Sequence, residues 1–264
     1  MTAISFLVPT KLSYGSADVL KNLTKLIQSI EAQKIPKYEI LLCGDIEYDR
    51  DNVRCLNFNE QAKQKPWITK KFNDLAKAAK YSVLCYLKDY NFLYPHFYEG
   101  FEEFGYDWDL AMCPILNKDL TLYRCWTSWC DPNHPPGWVQ REPWCPDGHF
   151  WKGRAFCESF NYLSTEFMYI SGMFWMAKKS FMLNHQFNEN LCLGEAEDIL
   201  WSKQVLMDNT DTVYKLNTKS CIGLNKFKDR ILPITDPIYG TLDYILQYVN
   251  CNYNEVLEWN NREN

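Results

Sequence analysis

The sequence predicts a single α/β domain with a mostly parallel central sheet flanked by helices. Three apolar runs have the length of buried strands, residues 4–9, 38–44 and 81–87. They alternate with two segments, 16–33 and 69–81, in which apolar residues recur at helical spacing. Strands that are apolar on both faces are typical of a parallel sheet covered by helices. Right-handed crossovers place the carboxyl ends of these strands on one edge, which carries Pro9-Thr10, Gly44-Asp45 and Lys88–Asn91.

The rest of the chain predicts further elements with less regular spacing. Residues 194–208 indicate a helix, because glycine and acidic residues precede apolar residues at helical spacing. Residues 123–160 are rich in Trp, Pro, Cys and Gly and predict a long loop. The other predicted elements are strands at 107–116, 166–179 and 212–217 and an amphipathic helix near 240–250.

The composition indicates a globular domain and argues against nucleic acid as a main partner. The chain has 264 residues, 47% hydrophobic and 16% aromatic, which is enough for one large domain with a sizeable core. Its formal net charge is −5, and its basic clusters, Lys70-Lys71 and Lys226–Lys228, are short. Because binding a phosphate backbone needs a clustered basic surface, we expect no nucleic-acid partner.

The sequence predicts neither a signal peptide nor a transmembrane segment. The first ten residues have no basic region, and no window approaches the roughly 20 apolar residues of a membrane span. The 11 cysteines are an odd number, and Cys43, Cys85 and Cys113 lie in apolar runs, where a reduced thiol is a small hydrophobe. We therefore expect a reducing, cytoplasmic compartment.

The order of the motifs resembles that of GT-A fold glycosyltransferases, and most of all the family 2-like enzymes of the nucleotide-diphospho-sugar transferase superfamily. The resemblance covers residues 4–207 and is carried by ISFLVPT, EILLCGD, KKFNDLAKAAKY, KDY, YISGMFWMAKK and GEAEDILWS in that order. It implies one GT-A domain over residues 1–264. The implied parts are a nucleotide-sugar-binding half at 1–91, an acceptor-binding half at 92–224 that contains the 123–160 loop, and a helical tail at 225–264.

The same resemblance implies an activity, a donor and a cofactor. The implied enzyme is an inverting glycosyltransferase that transfers a sugar from a nucleoside-diphosphate sugar, with uridine as the expected base. The acceptor is a hydroxyl of a glycan or glycoconjugate, and Mn²⁺ or Mg²⁺ assists departure of the diphosphate. Transfer by single displacement needs one general base and no covalent intermediate.

Five residues are implied as contacts of the donor nucleotide. By resemblance, Pro9 and Thr10 line the nucleoside pocket, and Asp45 accepts a hydrogen bond from the base or ribose. Lys71 and Asn73 fall where the family has a basic residue and an asparagine near the nucleotide. The alternatives are a simple turn residue for Asp45 and a solvated helix face for Lys71.

The turn Lys88–Asn91 is implied as a metal site. The family has Asp-x-Asp at such a strand end, and this sequence has Asp89-Tyr90-Asn91. Asp89 is therefore expected to bind the metal, with the Asn91 carbonyl oxygen as a weaker ligand. Lys88 either points to the opposite face from Asp89 or pairs with the diphosphate. The alternative is a surface turn capped by Asp89.

The segment GEAEDILWS is implied as the source of the general base. By resemblance, Asp198 removes the proton from the acceptor hydroxyl, and the neighbouring charges of Glu195 and Glu197 are expected to raise its pKa. Gly172 is implied as a close backbone approach to the donor sugar. The alternatives are acids that favour the helix dipole and a glycine needed only for packing.

Two further segments have open assignments. Residues 125–151 carry three cysteines and two histidines, but their spacing does not match a standard zinc knuckle. We favour an acceptor-side loop whose tryptophans stack on sugar faces, with structural zinc as the alternative. Lys226 and Lys228 are expected to reach the diphosphate from a closing segment.

Two other functions stay open at this stage. A sugar-nucleotide nucleotidyltransferase shares a similar sheet but normally has a Gly-rich, Arg- and Lys-containing N-terminal loop, which residues 9–20 lack. A non-catalytic carbohydrate-binding protein on a GT-A fold is the alternative from another class. Lys88 and the missing second aspartate favour it.

Overall fold

The structure is a computed structural model that describes residues 1–11, 16–60, 63–117, 122–124, 127–128, 168–208, 211–217 and 219–225. Its helices are α1 (Ser16–Glu31), α2 (Ile68–Ala78), α3 (Phe97–Phe104), α4 (Lys179–Asn184) and α5 (Glu197–Asp208). Its strands are β1 (Ile4–Pro9), β2 (Tyr38–Gly44), β3 (Val53–Asn57), β4 (Val83–Leu87), β5 (Asn91–Leu93), β6 (Leu110–Met112), β7 (Ile115–Leu116), β8 (Leu122–Arg124), β9 (Thr127–Ser128), β10 (Met168–Tyr169), β11 (Phe174–Lys178), β12 (Tyr214–Leu216) and β13 (Ile222–Leu224).

A seven-stranded sheet forms the centre of the domain, in the order β12-β6-β11-β4-β1-β2-β3. The four strands from β4 to β3 are parallel to one another, and β11 is antiparallel to both of its neighbours. The predicted α/β fold with a mostly parallel sheet is therefore confirmed. The parallel pairing places the ends of β1, β2 and β4 on one edge, where the polar residues of the sequence motifs follow.

Two element predictions differ from the structure. No apolar run predicts a strand at 53–57, yet β3 pairs with β2 as the outer strand of the sheet. Its residues are half-buried or exposed, so it lacks the continuous apolar run of the inner strands. The single strand predicted at 107–116 is two short strands, because the chain leaves the large sheet at Cys113-Pro114 and β7 joins a four-stranded sheet in the order β5-β13-β7-β8.

An aromatic layer lies between the sheet and the helices beside the carboxyl edge. Trp175 of β11 stacks on Tyr86 of β4 with ring centroids 4.3 Å apart, and Phe72 of α2 meets Trp175 edge-on at 4.8 Å. Phe187 stacks on Trp201 of α5 at 4.7 Å. The layer joins α2, α5 and the sheet and gives the polar edge a floor of low polarity.

Several predictions lie outside the described residues. They include most of the 123–160 loop with its proposed zinc ligands and tryptophans, Lys226, Lys228 and the tail helix near 240–250. The division into parts at 1–91, 92–224 and 225–264 stays a prediction. Within the described ranges, no helix combines the length and the apolar character that crossing a bilayer requires.

Candidate donor-binding and catalytic site

A cavity of about 1170 Å³ opens at the carboxyl ends of β1 and β4. One wall is the polar face of α1 and another is the apolar group Pro66, Ile68 and Leu193. Ligand sites of α/β sheets occur in this position, outside the ends of parallel strands. Five residues that the sequence predicts for donor binding line it: Pro9, Thr10, Lys71, Lys88 and Asp89.

The turn after β4 directs Asp89 and Asn91 to different surroundings. Asp89 lines the cavity, and its Oδ2 accepts a hydrogen bond from Thr10 Oγ1 at 3.0 Å. Asn91 is fully buried, and its Oδ1 accepts the backbone N–H of Lys88 at 2.6 Å. Together with the bond from the Asn91 N–H to the Lys88 carbonyl at 3.0 Å, this bond closes the turn. The geometry therefore gives Asn91 a structural role and leaves Asp89 as the carboxylate of this turn that lines the cavity.

Lys88 is buried at the inner end of the cavity, with 9% of its surface exposed. Its Nζ lies 4.9 Å from the centroid of the Phe72 ring. Burial lowers the pKa of Lys88 to about 8, although the charges of Glu197, Asp89 and Asp198 oppose this shift. Lys88 and Asp89 both line the cavity. The acids whose charges act on Lys88 belong to the turn after β4 and to the start of α5.

Asp198 at the start of α5 is fixed by the turn between β10 and β11. Its Oδ2 accepts the backbone N–H of Gly172 at 3.0 Å, and its Oδ1 accepts the N–H of Ile199 at 3.0 Å. A side-chain carbon at Gly172 would lie 2.9 Å from the same Oδ2. Gly172 was predicted as a close approach to the donor sugar, and in the structure its backbone closely approaches Asp198.

Glu197 is the more buried of the two adjacent acids. Burial and, second, the charge of Asp198 raise the pKa of Glu197 to about 7, while its hydrogen bonds and Lys88 act in the opposite direction. Its Oε2 accepts the N–H of Gly194 at 3.1 Å. The turn before it contains Gly194 at φ +82° and Ala196 at φ +60°, and the left-handed region is unfavourable for alanine.

Seven of the predicted site residues that the structure describes do not line the cavity: Asp45, Asn73, Asn91, Gly172, Glu195, Glu197 and Asp198. Asp45 is exposed beyond the end of β2. The Asn73 amide makes three hydrogen bonds, at 2.9 to 3.0 Å, to Phe187 and Glu189, so it fixes the loop before α5. The Glu195 carboxylate binds Lys65 Nζ at 2.8 Å and the N–H of Cys192 at 2.8 Å, so it closes a surface turn.

The structure also places residues at the site that the sequence analysis did not single out. Glu60, in the loop before α2, forms a buried ion pair with Lys71. Asn225 lines the cavity next to the predicted Lys226, and its N–H donates to the Tyr90 carbonyl at 2.8 Å. Neither residue belongs to a periodic pattern or a motif, and no sequence signal marked them.

The arrangement fits a divalent ion only if the donor supplies most of the ligands. Within the described ranges, no three His, Cys, Asp or Glu side chains form a group that could hold a metal. Mg²⁺ and ions like it are commonly held by one or two carboxylates together with substrate phosphates. Asp89, at the cavity wall with one oxygen oriented by Thr10, matches that pattern.

Comparison with known proteins gives the fold. No protein-family model matches the chain, and no curated protein does. A solved structure of GalNAc-T7 with UDP, GalNAc and Mn²⁺ matches 85% of the chain at 14% identity with a TM-score of 0.56. GalNAc-T7 is a glycosyltransferase of the GT-A fold. The chain has the GT-A fold.

A second GT-A protein, S. aureus TarS in a structure of residues 1–349, aligns over 85% of the chain at 13% identity with a TM-score of 0.48. The chain spans 60% of that TarS structure and 44% of the GalNAc-T7 structure, less than two thirds of either. The GalNAc-T7 match confirms, for the fold, the resemblance stated from the motifs.

Proposed function

We propose that the protein is an inverting glycosyltransferase that transfers a sugar from a UDP-sugar to a hydroxyl of a glycan or glycoconjugate. The observation that carries this proposal is that Lys88 and Asp89 line one cavity at the carboxyl ends of β1 and β4. The charges of Glu197 and Asp198 at the start of α5 also act on Lys88. A buried cation next to a metal-type carboxylate suits a diphosphate, and a nearby pair of acids suits deprotonation of an attacking hydroxyl.

Two residues bind the donor diphosphate in this proposal. Asp89 would hold a Mn²⁺ or Mg²⁺ ion through a carboxylate oxygen. When bound, the ion neutralises charge that develops on the departing nucleoside diphosphate. The Lys88 ammonium, held in a site of low polarity, pairs with the same diphosphate and compensates for the missing second aspartate.

Asp198 activates the acceptor in this proposal. Its carboxylate accepts the proton of the acceptor hydroxyl while that oxygen attacks the anomeric carbon and the bond to the diphosphate breaks. The Gly172 N–H holds the carboxylate in place. Glu197, whose pKa is raised to about 7, adds negative charge next to Asp198 as it ionises, which strengthens the base above neutral pH.

We also propose a cytoplasmic location. Five of the six described cysteines are buried, Cys43, Cys85, Cys113, Cys192 and Cys221. Burial raises the pKa of the Cys85 thiol well above its usual value, so it stays protonated and packs as a small apolar group. This use of cysteine suits a reducing compartment.

A second function, sugar-nucleotide or carbohydrate binding without catalysis, is favoured by one observation. Lys88 occupies a position where the resemblance implies an acidic residue, and Asn91 turns its carbonyl oxygen into the backbone turn. This weakens the protein's own metal ligand set. Such a protein would bind nucleotide or glycan in the same cavity but would not catalyse sugar transfer.

The test is a nucleotide and donor screen on the purified chain. Thermal unfolding with UDP, GDP and dTDP, each with and without Mn²⁺, is expected to show the largest stabilisation with UDP and Mn²⁺. A panel of UDP-sugars is then expected to contain one from which UDP is released. Stabilisation by no nucleotide would refute the proposal, and binding without release or transfer from any donor would favour the non-catalytic function.

A further inference from the structure

Thr10 connects the two sides of the donor site through contacts that the proposed function does not use. It directly follows β1 and is 3% exposed although it lines the cavity. Its N–H donates to the Cys43 carbonyl at 3.0 Å, and its carbonyl accepts Lys71 Nζ at 2.7 Å. Its hydroxyl donates to Asp89. The N–H, the carbonyl and the hydroxyl of Thr10 therefore all make hydrogen bonds within the protein, and little of its surface is exposed to a nucleoside.

Gly44 makes the close packing of Thr10 possible. A side-chain carbon at Gly44 would lie 2.3 Å from the Thr10 carbonyl oxygen and 3.2 Å from its methyl group. No atom can occupy that space without displacing the backbone after β1. The end of β2 thus packs against the same Thr10 carbonyl that accepts Lys71 Nζ.

Lys71 has its charge compensated inside the protein. It is 2% exposed, and it forms an ion pair with Glu60 in which both side chains are buried. A buried ammonium that already has a carboxylate partner and a carbonyl acceptor gains little from a phosphate. Lys88 differs, because the acids that act on it are those of the reaction site itself.

We propose that Thr10 is the positioning residue of Asp89, and that the Glu60–Lys71 pair holds Thr10 in place. In this arrangement Thr10 and Lys71 affect donor binding through Asp89 and do not contact the donor. Lys88 is the lysine that binds the diphosphate. The inference rests on the proposed role of Asp89 in metal-assisted donor binding. It replaces the direct contacts that the resemblance implied for Thr10 and Lys71.

The experiment compares Thr10→Val with Thr10→Ser in UDP binding by calorimetry, with and without Mn²⁺. Valine has nearly the same shape but no hydroxyl, so the Mn²⁺-dependent gain in UDP affinity is expected to fall about tenfold, the effect of one lost hydrogen bond to a charged group. Metal-free UDP affinity is expected to stay within about twofold of wild type. Serine keeps the hydroxyl that donates a hydrogen bond to Asp89, so Thr10→Ser is expected to retain most of the Mn²⁺-dependent gain in UDP affinity.

Two further variants exclude a merely structural effect. In an Asp89→Ala background, Thr10→Val is expected to have no additional effect on UDP affinity, because its influence passes through the missing carboxylate. Thr69→Val is the matched control, since Thr69 is also buried and donates its hydroxyl to the Leu191 carbonyl at 2.6 Å. It is expected to reduce thermal stability while the Mn²⁺-dependent gain stays intact.

Glu60→Gln tests whether the Glu60–Lys71 ion pair holds Thr10 in place. Glutamine keeps a hydrogen-bond acceptor for Lys71 but leaves the buried ammonium without a counter-charge. The Mn²⁺-dependent gain is expected to fall by less than in Thr10→Val. If Thr10→Val is unstable, Thr10→Ala removes the same hydroxyl and is expected to give the same loss.

Three results would overturn the inference. The first is an unchanged Mn²⁺-dependent gain in folded Thr10→Val, with wild type responding normally. The second is a loss of UDP affinity in Thr10→Val that is as large without Mn²⁺ as with it, which would make Thr10 a direct nucleotide contact. The third is failure of serine to restore the gain. If wild type itself shows no Mn²⁺-dependent gain, the metal role in the proposed function fails as well.

Discussion

At the residue scale, burial shifts two ionisable groups of the site toward neutral pH from opposite directions. Burial lowers the pKa of Lys88 to about 8 and raises the pKa of Glu197 to about 7. The charges attract each other, but this attraction only partly offsets the loss of hydration. The charge of the site therefore changes between about pH 7 and about pH 8.

The pH dependence of UDP binding tests the role of Lys88. The ammonium loses its proton as pH rises through about 8, so wild-type UDP affinity is expected to fall above pH 8 by up to about tenfold per pH unit. Lys88→Met removes the titrating group and should bind weakly at every pH from 7 to 9.5. Calorimetry in Mg²⁺ buffers measures both. A parallel decline in the two proteins would exclude Lys88 as the group that titrates.

Asp198→Asn tests the assignment of the base. The asparagine carbonyl can still accept the Gly172 N–H, so the fold and donor binding are expected to be retained. Transfer is expected to fall about 10² to 10⁴-fold, because the amide accepts no proton at neutral pH. Rate and UDP affinity are measured on the same preparation. Turnover close to wild type would refute the assignment.

The sequence located strand ends and helix starts better than the contacts of their side chains. Asp89 and Asp198 lie at such positions, which are short-range patterns, and their roles, which the resemblance implies, stay predictions. The buried pairing of Lys71 with Glu60 was not predictable, since Glu60 lies in an aperiodic loop. The same holds for Asn91, whose side chain closes a turn that only the backbone conformation shows.

At the element scale, the start of α5 is placed against the turn that joins β10 to β11. The helix begins at Glu197, three residues later than the predicted start at 194, because Gly194 and Ala196 have positive φ angles. The turn at Gly194 and Ala196 places the Asp198 carboxylate within hydrogen-bond distance of the Gly172 N–H. The outer strand β3 was missed for another reason, since an exposed edge strand lacks the apolar run by which the inner strands were identified.

Gly172→Ala tests this contact between elements. The added methyl group would stand 2.9 Å from Asp198 Oδ2, and the side chain can move away at little cost in stability. We expect a lower kcat for transfer, an unchanged KM for the donor and little change in thermal stability. Gly194→Ala is the matched control. No atom lies within 4 Å of its added carbon, but φ +82° is strained for alanine, so about 1 kcal/mol of stability should be lost.

At the scale of the whole molecule, the buried site makes stability depend on pH. Glu197 binds its proton more tightly in the folded protein than in the unfolded chain, so the free energy of unfolding falls as pH rises from about 4.5 to about 7. Burial of Glu197 therefore lowers the stability of the folded protein above pH 4.5. Ionisable groups with pKa values shifted in this way are common at functional sites.

Glu197→Gln is expected to be more stable than wild type, by an amount that grows through this pH window to the order of 2 kcal/mol. Denaturant unfolding at pH 4.5 and pH 8 measures the difference. Glu195→Gln is the control of opposite sign, because Lys65 lowers the pKa of Glu195 and the charged form is favoured by folding. A difference between Glu197→Gln and wild type that does not change with pH would show that Glu197 titrates normally.

The proposed function requires that the cavity bind a nucleoside diphosphate through Asp89 and a divalent ion. Calorimetric titration of UDP, with and without Mn²⁺, into wild type and Asp89→Ala measures this requirement. Wild type is expected to bind UDP more tightly with Mn²⁺, while Asp89→Ala keeps only the metal-independent affinity supplied by Lys88 and the rest of the cavity. Absence of UDP binding to wild type, or an equal Mn²⁺ effect in Asp89→Ala, would contradict the account.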